Sequence, residues 1–424
     1  MRFRIVAAFI VIFLGISIAS LYHLNQNTIK IGLLYSKTGT MATEERAIAQ
    51  ALKFQVEQIN QQGGLLSRKI QIVEMDGASN DIDFSKGVQS LIDQGVKTIF
   101  GCWTSASRKA VRPILEENQA LLFYPVQYEG LEVSPNIVYL GSTPNQQINP
   151  LFTYIKEAFG KRVLIVGSNY VFPRITGIYL TQMAEFIGFD VLGEIYRPLG
   201  ETEFQEIIDV IQELKPDAII NTLNGDSNHY FFKALFEAKI LSSDIPVFST
   251  SIDERSIESM LKTLPSDALN GHYLAGSYFH ALKNEKNSRL ISLYRQAYGS
   301  DFLMTDAGFN THLAFNFWKR AVVESRSTEI PKLLSAIRGD SFNSESGIVY
   351  LDRKNLHLHK TMRLMRIHNQ SMELSWESQV MATPRPYPTF KNQSFWAQQE
   401  TKLYQQWGER WQASDNYEWI GAPP

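Results

Sequence analysis

The chain has 424 residues, 44% of them hydrophobic and 20% charged, which is ordinary globular composition with enough length for more than one well-filled core. Its 41 basic and 43 acidic side chains leave a formal charge of −2, which excludes the strongly basic surface of a nucleic-acid-coating protein. A single cysteine, Cys102, excludes an internal disulfide and any thiolate-built metal centre.

Arg2 and Arg4 precede an apolar run from Ile5 to Ala19, and Ser17 and Ala19 form a small-x-small pattern. That is the layout of an export signal. The run continues weakly through Leu21 and Tyr22, toward the roughly 20 residues that span a bilayer. Residues 1–26 therefore read as a signal peptide or as a membrane anchor, and both readings stay open. No cysteine follows the run, so lipid attachment there is excluded.

Beyond the leader, β-rich runs alternate with helical patterns. Ile29–Tyr35, Ile70–Met75, Lys97–Phe100 and Ala120–Tyr124 read as strands; Glu44–Asn60, Phe84–Ile92 and Ser105–Asn118 read as helices between them. A second set has strands at Arg162–Gly167, Asp190–Tyr196, Asp217–Thr222, Pro246–Ser249 and His272–Ala275. Its helices lie at Ile148–Phe159, Ile175–Ile187, Glu203–Leu214 and His229–Ala238, and helices at Ser288–Tyr298 and Asn310–Ser325 follow. The order implies an α/β protein of two lobes with mostly parallel sheets. Gly141–Asn145 is a turn-rich junction between them. Residues 384–424 hold Pro384, Pro386 and Pro388, then Phe395, Trp396, Trp407, Trp411 and Trp419, too aromatic for a disordered tail and suited to packing on a lobe.

In open α/β sheets ligands sit beyond the carboxyl ends of the strands. The loops there are Gly101–Arg108, Tyr124–Gly130, Ser168–Pro173, Asn221–Asn228 and Ser249–Glu254, all polar and several aromatic. Thr104 and Ser105 would open a helix, where free N–H groups and a hydroxyl suit a carbonyl oxygen or an anion; simple capping is the alternative. Trp103, Tyr124, Tyr128 and Tyr170 would line a small pocket or pack in cores. Asp226 would accept from a ligand N–H or bond its own turn. Cys102 reads as a small buried filler. Asp253 and Glu254 are adjacent, so they do not form a facing catalytic pair; Glu254 suits a first helical turn. His357-x-His359 reads as a pair of surface histidines, because neither an HExxH motif nor clustered carboxylates accompany it. No nucleophile elbow, phosphate-binding loop or dinucleotide fingerprint is present, and a hydrolase would need a nucleophile beside a base, which the loop blocks lack. No catalytic residue, metal or cofactor is expected.

The blocks Gly101-Cys-Trp-Thr-Ser-Ala-Ser-Arg-Lys109, Leu122-Phe-Tyr-Pro-Val-Gln-Tyr-Glu-Gly130, Ser134-Pro-Asn136, Pro144-Asn-Gln146, Gly167-Ser-Asn-Tyr170 with Pro173-Arg174, and Asn221-Thr-Leu-Asn-Gly-Asp-Ser227 resemble those of urea and short-chain amide-binding proteins. These are periplasmic solute-binding components of ABC transporters, of the branched-chain amino-acid-binding type; a sensor that regulates amidase expression is similar. The resemblance covers roughly residues 29–412. It implies two Rossmann-like lobes, three hinge crossings near residues 145–148, 274–278 and 348–354, and a ligand in the interlobe cleft. Lobe 1 would hold residues 27–147 and 275–350, lobe 2 residues 148–274 and 351–383, with the tail at 384–424. The ligand-binding residues it implies are Trp103 as an apolar wall, Ser105 for the ligand oxygen, Tyr124 and Gln127 from the same lobe, and Tyr170, Asp226 and Ser251 from the other. The implied ligand is urea or a small neutral amide. The implied partner is an ABC permease, or, for a tethered sensor, a regulatory partner in the membrane.

Overall fold

The computed structural model describes residues 28–369, 371–413 and 418–421, so the expected leader lies outside the described residues. The chain starts β1 (Thr28–Tyr35), α1 (Ala42–Gln61), β2 (Lys69–Asp76), α2 (Asp81–Asp93), β3 (Thr98–Gly101), α3 (Ser105–Glu117), β4 (Leu121–Tyr124) and β5 (Ile137–Tyr139). These five strands form one parallel sheet in the order β2-β1-β3-β4-β5. β3, β4 and β5 are wholly buried, as expected of strands covered on both faces. Ile48, Leu52 and Val56, spaced along α1, are buried in the same core. Gly101 closes β3 at φ +142°, and a Cβ there would stand 1.8 Å from the Leu34 carbonyl oxygen, so only glycine lets the chain turn into α3.

The second lobe is built from α4 (Pro144–Ala158), β6 (Arg162–Ser168), α5 (Val171–Ile187), β7 (Asp190–Arg197), α6 (Gln205–Leu214), β8 (Ala218–Thr222), α7 (Ser227–Glu237), β9 (Val247–Ser249), α8 (Glu254–Leu261) and β10 (Tyr273–Gly276). The chain then returns to the first lobe through α9 (Glu285–Tyr298), α10 (Asp306–Ser325) and α11 (Ile330–Ile337). A small antiparallel sheet follows there, β11 (Ser341–Ser344), β12 (Gly347–Leu351) and β13 (Leu358–His359). It ends in the second lobe with β14 (Arg363–His368), β15 (Ser371–Glu377), α12 (Gln393–Gln406) and β16 (Glu418–Gly421). The second sheet runs β15-β14-β10-β9-β8-β6-β7-β16. Its centre is parallel, and β14, β15 and β16 join antiparallel at its edges. The architecture is thus two α/β lobes with mostly parallel sheets.

α4 starts four residues before the sequence reading placed it. Pro144 occupies the first turn, and the Thr143 N–H donates to Gln146 Oε1 at 3.0 Å, so the TPNQ stretch opens the helix instead of preceding it. β5 and β11–β15 are absent from the sequence reading, because they are short, half-exposed or charged. Leu351, Leu356 and Leu358 remain in the first core and Leu364 lies in the second, so the third crossing falls after Leu358, later than the expected 348–354. The crossings lie side by side. Lys360 Nζ donates to the Leu140 carbonyl at 2.6 Å, and Arg363 Nη1 donates to the Ser277 carbonyl at 2.5 Å.

The tail packs on the second lobe and reaches the first. Trp396 and Leu403 are buried in the second core. Lys109 of α3 pairs with Glu400 at 2.7 Å, Asp81 pairs with Arg410 at 2.5 Å, and the Leu131 N–H donates to the Pro386 carbonyl at 2.7 Å.

Candidate functional site

The helices α3 and α5 bring their amino ends together where the lobes meet, and Ala106 of α3 packs in the core of the second lobe beside Tyr170. Thr104 caps α3, its hydroxyl accepting from the Ser107 N–H at 3.1 Å. Ser105, the first helical residue, is buried; its Oγ accepts from Arg108 Nη1 at 3.1 Å. Arg108 is fully buried, donating to Glu129 Oε1 at 2.8 Å and to Glu132 Oε1 at 2.9 Å, with Tyr124 and Tyr128 against its guanidinium. Burial alone would raise the Glu132 carboxyl, but Arg108, Lys109 and Arg112 outweigh it and hold the group well below the usual carboxylate range. Glu129 Oε2 is buried without a partner. Tyr170 stands at the start of α5, and burial, then the nearby Tyr124 and Glu129, push its phenol well above the ordinary value.

Next to this layer lies a small, partly open cavity of about 30 Å³ between the lobes. That is room for about two or three water molecules. Trp103, Gln127, Ser251, Asp253, Glu254 and Asp306 are among its lining residues, and no cationic side chain is among them. Gln127 Nε2 donates across the cleft to Ser251 Oγ at 3.3 Å. Tyr124 joins the two regions by donating its hydroxyl to the Trp103 carbonyl at 2.6 Å. Two buried groups of its lining residues lack partners, the donor Trp103 Nε1 and the acceptor Asp253 Oδ2. Asp253 Oδ1 is used in capping α8, accepting from the Ser256 N–H at 2.9 Å. Burial raises the Asp253 carboxyl, and burial with the Asp253 charge pushes Glu254 up to about 8.

Of the residues singled out in the sequence, Trp103, Gln127 and Ser251 line the cavity, while Ser105, Tyr124 and Tyr170 form the buried layer beside it. Asp226 is not brought to them. It is exposed at the start of α7, and the adjacent Gly225 lies against the backbone of Thr40. Gly225 turns the chain there at φ +65°, and the Asp226 side chain that follows is left exposed. Cys102 is fully buried at φ +59°, and its thiol is pushed up by burial. His357 is not a surface histidine: it is buried, stacked on Tyr139 at 4.2 Å, while His359 pairs with Asp352 at 3.2 Å. Asp253, Glu129 and Arg108 were missed as site residues. Arg108 and Glu129 are the next-to-last residues of two of the signature blocks, and their opposite charges beside buried aromatic runs were the available signal. Asp253 was set aside for its adjacency to Glu254, although it is an N-cap and Glu254 is the helical residue.

Two α/β lobes closing on a small polar cavity define a binding protein of the hinged, two-lobed class. Residues 29–393 match the family model "Periplasmic binding protein domain", and the chain belongs to that family. The family is one of binding proteins, not of enzymes.

The fold is shared with a solute-binding protein of an ABC transporter from Rhodopseudomonas palustris BisB5, solved with 3,4-dihydroxybenzoic acid (TM-score 0.75, 18% identity, 84% of this chain and 99% of that one). It is shared too with an amino-acid ABC transporter substrate-binding protein from Pseudomonas fluorescens Pf-5 (TM-score 0.73, 19% identity, 85% and 97%). The leucine-binding protein LivK from Thermotoga maritima is similar as well (TM-score 0.70, 18% identity, 82% and 98%). Among curated proteins, the Leu/Ile/Val-binding protein BraC3 of Rhizobium johnstonii is 26% identical over 201 residues, 45% of this chain and 53% of that one. A limonene hydroxylase of Geobacillus stearothermophilus is 27% identical over 120 residues, 28% of this chain and 22% of that one. The chain therefore spans about half the length of the first of these and about a fifth of the second.

Proposed function

We propose that this chain is an exported solute-binding protein that captures urea or a short-chain aliphatic amide by lobe closure and delivers it to an ABC permease in the periplasm. The observation that carries the ligand reading is the small interlobe cavity whose lining residues include one with an unpartnered buried donor, Trp103 Nε1, and one with an unpartnered buried acceptor, Asp253 Oδ2. An amide offers the matching pair: its carbonyl oxygen accepts from the indole and its amide hydrogens are donated to the carboxylate. Each group left unmatched in a buried site costs about 1–3 kcal/mol, so a ligand supplying both is favoured. A carboxylate ligand such as the 3,4-dihydroxybenzoic acid bound by the Rhodopseudomonas protein would meet acidic side chains and no cation in this cavity. The small volume favours a molecule of a few heavy atoms.

Titration calorimetry of the purified protein with urea, acetamide, formamide, benzoate and leucine tests the reading. Saturable one-to-one heat with urea or an amide, and none with benzoate, is expected. Heat with benzoate or leucine alone refutes the ligand assignment. The apolar run at Ile5–Ala19, continuing toward Tyr22, supports a second reading, a tethered sensor whose closed state is recognised by a regulatory partner instead of a permease. Fractionation of cells separates the two: a cleaved soluble chain fits delivery, a membrane-retained chain fits tethering.

A further inference from the structure

A second polar pocket of about 420 Å³ lies at the amino ends of β1 and β3, the opposite end of the first sheet from the cleft. Three cations line it, Lys30, Arg68 and Lys97, and no acidic side chain does. Among the described residues none of the three has an ion-pair partner. Each donates to a backbone carbonyl instead: Lys30 to Gln94 at 3.2 Å, Arg68 Nη2 to Thr28 at 2.7 Å and Lys97 to Asn118 at 2.8 Å. Two further N–H donors of its lining residues are buried without a partner, Arg68 Nε and Trp318 Nε1, and Trp318 is fully buried. The lining also carries the hydroxyls of Thr28, Thr98 and Thr328.

Backbone carbonyls use only part of the hydrogen-bonding capacity of an ammonium or a guanidinium and leave its charge unneutralised. The group that completes such a set carries negative charge and several acceptor oxygens, so that one oxygen can meet the arginine and others the lysines. A phosphate has that chemistry. Its position in the chain matters as well, because Thr28 lines the pocket and the apolar leader ends at Tyr22. Fully extended, the segment from Tyr22 to Thr28 reaches at most about 20 Å, so a retained leader would hold this pocket within that distance of a membrane surface.

We propose that this basic pocket is a phosphate-binding site, taking either inorganic phosphate or the phosphodiester of an anionic phospholipid head group. The full-length protein in non-ionic detergent is heated with inorganic phosphate at constant ionic strength, chloride serving as the reference. It is also floated with phosphatidylcholine vesicles with and without phosphatidylglycerol. Lys30→Gln/Lys97→Gln and Trp318→Phe are compared with the wild type; the first removes charge at accessible positions, and the second keeps an aromatic ring while removing the indole N–H.

Phosphate should raise the wild-type melting temperature saturably, with the apparent affinity falling about tenfold or more in either variant. A phosphate response without a phosphatidylglycerol preference identifies the free anion. A phosphatidylglycerol preference lost in the lysine variant identifies the head group. The proposal is overturned if neither response is seen, or if the variants respond as the wild type does.

Discussion

Glu400 on the carboxyl-terminal helix pairs at 2.7 Å with Lys109, which lies one turn into the helix that begins with Ser105. The same helix buries Trp396 and Leu403 in the second lobe, so a single element is fixed to both halves of the molecule. Glu400→Gln removes one of three carboxylates around a buried ammonium, since Glu129 and Glu132 remain within 3.6 Å. The loss should be about 1–2 kcal/mol, below the 3–5 kcal/mol of a wholly orphaned buried charge. A melting temperature lower by a few degrees, with small-angle scattering showing a larger radius of gyration without ligand, is expected. An unchanged scattering profile refutes the idea that the tail holds the lobes together.

Arg108→Met is a harsher change. It leaves Glu129 and Glu132 with Lys109 as their one remaining shared buried cation, and removes the closer of the two, at a cost approaching the roughly 3–5 kcal/mol of a broken buried pair. Thermal unfolding should show a marked loss of stability, and Glu129→Gln introduced with Arg108→Met should recover part of it. No recovery in the double variant would place the loss elsewhere.

Asp253→Asn isolates the ligand contact from the helix cap. Oδ1 keeps accepting from Ser256, while the free Oδ2 becomes an NH2 donor facing the hydrogens of an amide. Affinity for urea or acetamide should fall by about tenfold or more, with the melting temperature of the free protein almost unchanged. If the wild type binds and the variant binds equally well, Asp253 is not the acceptor.

Stability should fall between about pH 4.5 and 8. Glu45 is buried, and burial pushes its carboxyl up to about 8 despite hydrogen bonds from the Ser36 N–H and hydroxyl. Its folded value lies above the ordinary 4.5, so its contribution is present in full below about pH 4.5 and is lost as the pH rises through 8. Glu44 and Glu254 shift in the same direction and add to the slope. Glu45→Gln should flatten the fall in melting temperature over that window. Equal slopes in both proteins would show that Glu45 is ionised in the fold.

The central strands were legible because each is a short continuous apolar run, and the two-lobe order followed from their alternation with helical patterns. The edge strands were not: β14 and β15 carry Arg363, Arg366, Glu373 and Glu377, and they form because β10 offers an edge, which no local pattern announces. At the site, the loops that hold Trp103, Gln127 and Ser251 could be picked out from their places beyond strand ends, while Gln127 and Ser251 themselves were singled out only by the family resemblance. Asp226 shares that placement and yet turns outward, because loop position does not fix side-chain direction. Arg108 was hidden for the opposite reason: a basic residue in a helix reads as surface until Glu129 and Glu132, more than twenty residues away, are seen to enclose it.

The crossings between lobes have a mechanical consequence. Lys360 fastens the third to the first and Arg363 fastens it to the second, so the three segments form one cross-linked ribbon. Such a ribbon can bend along its length, but its segments cannot slide past one another without breaking those bonds. Any opening of the cleft is thereby confined to a swing about a single axis, and closing would bring Gln127 back opposite Ser251.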